Sequence, residues 1–167
     1  PGALGQARAL ELAAREYRFH AGLREQQAAR KRAAAKKKAA AAKGIKLVNI
    51  GVVKLPPDEA ESRKVFEFAR KMGIDTLVAE PEPAALDTVE KLCKEYHIKV
   101  AIHNHPKPSR YWNPDTVLEA VKGRTPLMGA CADTGHWMRS GINPVEAIKK
   151  LEGRIISFHF KDLNQYG

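Results

Sequence analysis

The sequence predicts an α/β fold of parallel strands, and three observations lead there. Short apolar runs rich in β-branched residues recur five times, about 25 to 30 residues apart. Between them lie segments with apolar residues at helical spacing. Polar side chains suited to chemistry follow four successive runs. Parallel βαβ units with right-handed crossovers produce this pattern, either as an open doubly wound sheet or as an arc of a closed barrel. Both layouts place ligands at the carboxyl ends of the strands.

The first run, Ile45 to Val53, reads as a buried strand. Asp58 is placed to cap a helix whose apolar face is Val65, Phe68, Ala69 and Met72, and Gly73 is placed to end it. Thr76 to Ala79 is the second strand, followed by a proline-rich turn and a helix bearing Leu86, Val89, Cys93 and Tyr96. Lys99 to Ile102 is the third. Asn113 and Pro114 then form a cap and first-turn pair before Val117, Leu118 and Val121. Leu127 to Ala132 is the fourth strand. Asn143 and Pro144 repeat the device before Val145, Ile148 and Leu151, Gly153 closes that helix, and Arg154 to Phe158 is the fifth strand.

The net charge of +10 looks like a nucleic-acid signal until it is divided along the chain. Residues 1–43 hold 11 lysines and arginines against 3 acidic residues, whereas the remainder holds 18 against 16. The charge belongs to an alanine-rich basic segment, expected to be an exposed helix, and not to the α/β region of residues 44–167. No apolar run approaches the length of a membrane span and no secretory signal is visible, so a soluble cytoplasmic protein is expected. Cys93 and Cys131 lack metal-motif or disulfide spacing and read as packed thiols.

The strand-end groups are Glu80 and Glu82; His103, Asn104 and His105; Asp133 and His136; and His159, Lys161 and Asp162. A lone histidine after a strand is usually structural, but carboxylates and imidazoles after four successive strands form a ligand set for Mn²⁺, Mg²⁺, Co²⁺ or Zn²⁺. No glycine-rich phosphate loop follows the first strand, and no nucleophile elbow is present, which removes the usual support for nucleotide cofactors and serine chemistry.

From Gly44 onward, and most clearly in Val-Ala-Ile-His103-Asn-His105-Pro, Asp133-Thr-Gly-His136-Trp and Phe-His159-Phe-Lys161-Asp162, the chain resembles the xylose isomerase-like TIM-barrel superfamily. It is most similar to the sugar phosphate isomerase/epimerase branch. The resemblance implies an incomplete (β/α)₈ TIM barrel holding strands 3 to 7, with no counterpart of strands 1, 2 and 8 and a basic helical segment in place of the first units. It also implies a metal ligated by Asp133 and His159, with His136 touching substrate. His103 stands where the branch places a glutamate, and His105 or Glu80 would complete the shell.

The implied reaction is isomerisation or epimerisation of a ketose or similar hydroxy-carbonyl sugar, free or phosphorylated, through an enediolate. His103 and His136 are the candidates for proton transfer. Lys161 and Arg139 are candidates for an anionic group, Tyr111 and Trp112 for the pocket wall, and Trp137 for packing at the rim. The strand 8 glutamate has no counterpart.

Two other readings are open at this level. One is a non-catalytic barrel fragment that oligomerises to cover its open sheet edges. The other is an endonuclease IV-like enzyme, disfavoured because that chemistry needs a three-metal cluster with more ligands and a basic domain surface.

Overall fold

Local sequence sets most element ends. In the computed structural model, which describes residues 15, 22, 24, 25, 27, 28, 31–161 and 163, the Asp58 side chain accepts the Glu61 N–H at 2.9 Å. Asn113 accepts from Asp115 at 2.9 Å, and Asn143 accepts from Val145 at 2.9 Å. Each satisfies a backbone donor that the first helical turn leaves open. Gly73, at φ 71°, supplies the left-handed residue that stops its helix.

Contacts divide the chain into residues 1–46 and 47–167. In the first unit, residues 31–42 form a helix, α1, whose side chains are almost all exposed. Arg30 and most residues before it lie outside the described residues. The second unit runs β1 (Asn49–Val53), α2 (Glu59–Met72), β2 (Thr76–Ala79), a 3₁₀ turn (Pro83–Ala85) and α3 (Leu86–Tyr96). It continues β3 (Lys99–His103), α4 (Pro114–Val121), β4 (Met128–Asp133), α5 (Thr134–Arg139), α6 (Pro144–Lys150) and β5 (Ile155–His159).

All neighbouring strands are parallel, and spatial order follows chain order from β1 to β5. A doubly wound sheet reverses direction at a switch point, and this one does not. Curvature gives the same answer. In a flat sheet the outer two of five strands would lie about 19 Å apart at ordinary spacing. Here Asn49 Nδ2 of β1 comes within 3.5 Å of Ser157 Oγ of β5. The sheet is therefore an arc of a barrel, with five parallel strands flanked by helices.

β2, β3 and β4 are the buried centre, and β4 is buried at all six positions. Leu77, Val100, Ile102 and Met128 are fully enclosed, with Phe66, Val89, Leu92 and Val117 coming from the helices.

Several elements differ from the sequence expectation. β1 begins at Asn49 instead of Ile45 and is not a buried strand: Val48 and Val52 are 52% and 46% exposed. It lies at the end of the arc, with β2 as its one partner among the described residues. On α2 the buried face is Ser62, Phe66, Ala69 and Met72, leaving Phe68 37% exposed. On α6 Ala147 is buried and Val145 is exposed. Among the described residues no helix is long and apolar enough to cross a membrane.

Candidate metal centre and active site

Strand alternation puts residues i and i+2 on the same face, so β4 presents Cys131 and Asp133 to the barrel interior together. β3 ends with His103 on the same side, in register with Cys131, and Asp133 is in register with His159 of β5. The β4–β5 pairing shifts by one residue between Ala130 and Cys131. This bulge re-aims β5 so that Ser157 and His159 line up with Cys131 and Asp133.

Asp133 is the centre of the site and is fully buried. Its Oδ1 caps the six-residue α5 by accepting the His136 N–H at 3.0 Å. Its Oδ2 has no hydrogen bond of good geometry, yet four nitrogens converge on it. Lys161 Nζ lies at 2.7 Å, His103 Nε2 at 3.4 Å, His159 Nδ1 at 3.5 Å and His136 Nε2 at 3.6 Å. His103 Nε2 and His159 Nδ1 are 3.1 Å apart. On the other side, His103 Nδ1 is buried without a hydrogen bond, 3.7 Å from Glu80 Oε1. Glu80 also pairs with His105 and accepts from Ser109 Oγ at 3.0 Å.

Protonation follows from these contacts. Burial opposes charge on His103, but Asp133 and Glu80 outweigh it and raise its proton affinity above that of an ordinary imidazole. Burial would likewise raise both carboxyls. Contacts from His103 and Lys161 and the His136 N–H instead hold Asp133 well below the usual carboxylate range, and His103, His105 and Ser109 lower Glu80. Burial, with the charges of Lys161 and His103 nearby, brings His136 down to about 4, and burial with His103 lowers His159. The cluster thus holds one readily charged imidazole between two carboxylates, beside two imidazoles that stay neutral at pH 7.

The structure brings Glu80, His103, His105, Asp133, His136, His159 and Lys161 together. Arg139 joins through His136, its Nη1 3.3 Å from His136 Nδ1, and its side chain is exposed. Trp112 lies to one side. It lines a groove of about 370 Å³ with Asn113, Ile142 and Ser140, and Lys107 Nζ sits 4.1 Å from its ring centre. Ser140 links groove to site by donating to the His136 carbonyl at 2.9 Å and accepting the Lys107 N–H at 3.2 Å.

Tyr111 is buried, its hydroxyl donating to the Pro81 carbonyl at 2.5 Å, and so it ties two loops together instead of facing the cluster. Trp137 is buried at 1% exposure, and Glu82 is exposed at the 3₁₀ turn. Asp162 lies outside the described residues.

Asn104 carries a role that its side chain alone does not announce. Its Oδ1 accepts the Asp133 N–H at 2.7 Å and its Nδ2 donates to the Asp133 carbonyl at 3.0 Å. It extends the β3–β4 ladder by one amide and fixes the backbone of Asp133. The signal for it was its place between two strand-end histidines.

Asp133 Oδ2 and His103 Nδ1 are buried polar atoms without hydrogen bonds, in a nest of oxygen and nitrogen donors. Such a set fits a divalent cation of borderline hardness. Groups of potential ligands with mutually close donor atoms are His103 with Cys131 and His159, and His103 with His105 and His136.

A model of the family described as xylose isomerase-like TIM barrel matches residues 4–166, a span that begins inside the basic segment. An uncharacterized protein from Parabacteroides distasonis ATCC 8503 is 41% identical with a TM-score of 0.66, over 80% of this chain and 53% of that one. A D-tagatose 3-epimerase-like protein is 22% identical with a TM-score of 0.63, over 82% of this chain and 64% of that one. A sugar phosphate isomerase/epimerase from the same Parabacteroides strain is 17% identical with a TM-score of 0.52, over 78% and 57%. The chain spans less than two thirds of the length of each of these structures. No curated protein matches it. With its family match covering nearly the whole chain and its five parallel strands in barrel order, the protein belongs to the xylose isomerase-like TIM barrel family.

Proposed function

We propose that the chain carries the metal-binding and proton-transfer end of a divalent-metal-dependent isomerase or epimerase. Its substrate class is a ketose or related hydroxy-carbonyl sugar, free or phosphorylated, reacting through an enediolate. One observation carries the reading: the convergence of His103, His136, His159 and Lys161 on the buried Oδ2 of Asp133. The shared fold with an epimerase-like protein and a sugar phosphate isomerase/epimerase supports the reaction class.

Asp133, His159 and His103 would hold the cation, with Glu80 and His105 beside them. The cation would supply Lewis acidity toward a carbonyl oxygen, acidifying the adjacent C–H. The remaining work falls to the chain. His136, neutral at pH 7, is the candidate proton acceptor; its Nε2 lies 3.1 Å from Lys161 Nζ, a contact that a substrate hydroxyl would replace. Ligation would occupy the basic lone pair of His103, which leaves proton transfer to His136. Lys161 and Arg139, on either side of His136, would pair with an anionic group, Lys161 by exchanging its contact with Asp133.

Calorimetric titration with Mn²⁺, Co²⁺ and Zn²⁺ tests the site. Binding by the wild type that is lost in both Asp133→Ala and His159→Ala is expected. Loaded protein is then expected to exchange the C–H next to the carbonyl of a ketose with deuterium from solvent. A folded chain that binds no cation would instead be a non-catalytic arc of the barrel.

A further inference from the structure

Cys131 stands out among the buried groups that this reaction leaves unused. It lies in register with His103 across β3–β4, on the same strand face as Asp133 and one side-chain row deeper. It is fully buried, and its sulfur and one ring nitrogen each of His103 and His159 all lie within 4.8 Å of one another. The same two histidines face Asp133 Oδ2, a fully buried oxygen that has no hydrogen bond of good geometry and that Lys161 Nζ approaches at 2.7 Å. Around the sulfur are Val78, Ala101 and Ile156, with the Ser157 hydroxyl on one side. The thiol therefore forms the floor of the cluster. Cys93, the second buried thiol, sits on α3 and belongs to no such group among the described residues.

We propose that Cys131 is a ligand of the cation, making the centre a mixed nitrogen, oxygen and sulfur site that selects thiophilic cations such as Zn²⁺ and Co²⁺ over Mg²⁺ and Mn²⁺. The inference rests on the metal reading above and deepens it. Binding replaces the S–H bond by a metal–sulfur bond and the thiol proton leaves to water, with no change in oxidation state. Thiolate favours such ions because its polarisable lone pairs bond them more covalently than carboxylate oxygen does, whereas Mg²⁺ keeps its preference for oxygen.

The test is the near-ultraviolet and visible spectrum of the full chain loaded with Co²⁺. Wild type and Cys93→Ser are expected to show a sulfur-to-cobalt charge-transfer band together with the visible ligand-field bands. In Cys131→Ser, which keeps a polar group beside Ser157, the charge-transfer band is lost while the ligand-field bands remain. The preference for Zn²⁺ over Mn²⁺ in competition falls in the same variant. X-ray absorption of the Zn²⁺-loaded wild type needs no variant to fold and is expected to show one sulfur at about 2.3 Å. Ligand-field bands that His159→Ala abolishes, but with no sulfur contribution in the wild type, would overturn the role of Cys131 and leave the metal site standing. Absence of any cobalt binding by the folded wild type would overturn both.

Discussion

Asp133 is charged, fully enclosed and hemmed in by imidazoles, so its surroundings must supply what water would otherwise give. Asn104 supplies part of it by fixing the backbone. Asn104→Ala leaves the buried Asp133 N–H and carbonyl unpaired, and a loss of about 1–3 kcal/mol in unfolding free energy is expected by denaturant titration. His136 makes the fold pH-sensitive. Unfolded, its imidazole takes up a proton near 6.5, whereas in the fold it resists until about 4. Between those values the unfolded state binds more protons, so stability falls as pH falls, and the lowered His159 adds to the same slope. His103 acts in the opposite sense: its contribution is complete below the ordinary imidazole range and is lost as pH rises through its raised value. His136→Gln is expected to flatten the decline in melting temperature between pH 6.5 and 4. An unchanged slope would place the acid sensitivity elsewhere.

At the scale of elements, the β4–β5 bulge decides which β5 side chains reach the site. It depends on Gly129, where an added Cβ would come within 2.2 Å of the Arg154 carbonyl oxygen and 3.0 Å of Ile156. Backbone cannot yield as a flexible side chain can. Gly129→Ala is expected to cost at least about 1–3 kcal/mol, read as a lower melting temperature, and to weaken metal binding through displacement of His159. Caps and strand centres were legible in the sequence because they depend on neighbouring residues: Asp58, Asn113 and Asn143 act within three positions of themselves. The face of α2 was less legible. Ser62 is buried there by donating to the Pro56 carbonyl at 2.7 Å, and a reading of apolar spacing passes over a buried serine. Apolar spacing alone therefore selects Val65 and Phe68 over the buried Phe66. α5 was also missed, since six residues headed by Asp133 carry too little periodicity to distinguish a helical turn from a loop.

At the scale of the whole molecule, β1 and β5 each pair with one strand among the described residues. Apolar side chains sit on both outer strands and beside them: Val48 and Val52 at one end, Phe158 and the 77% exposed Phe160 at the other. The two phenylalanines stack with ring centres 4.9 Å apart. Open edges with apolar borders favour pairing with further chain. The 167-residue chain alone is expected to self-associate, with a concentration-dependent sedimentation coefficient. A monomer at every concentration would show that these edges are protected in another way.

The α/β class, the order of strands and helices, most caps, and the strand-end residues that build the site were legible along the chain. Each is a property of short segments: alternation, helical spacing and the donors a first turn leaves open. Periodicity left open sheet and barrel arc undivided, because curvature is a sum over strands that no single strand encodes; the strand-end motifs pointed to the barrel by resemblance, and the paired strands show it. Only the tertiary structure decided that Asn104 holds Asp133 and Trp112 faces a side groove, and it set Cys131 in the floor beneath the histidines. Those relations join residues far apart in the chain, through a register and a bulge that exist only once the strands have paired.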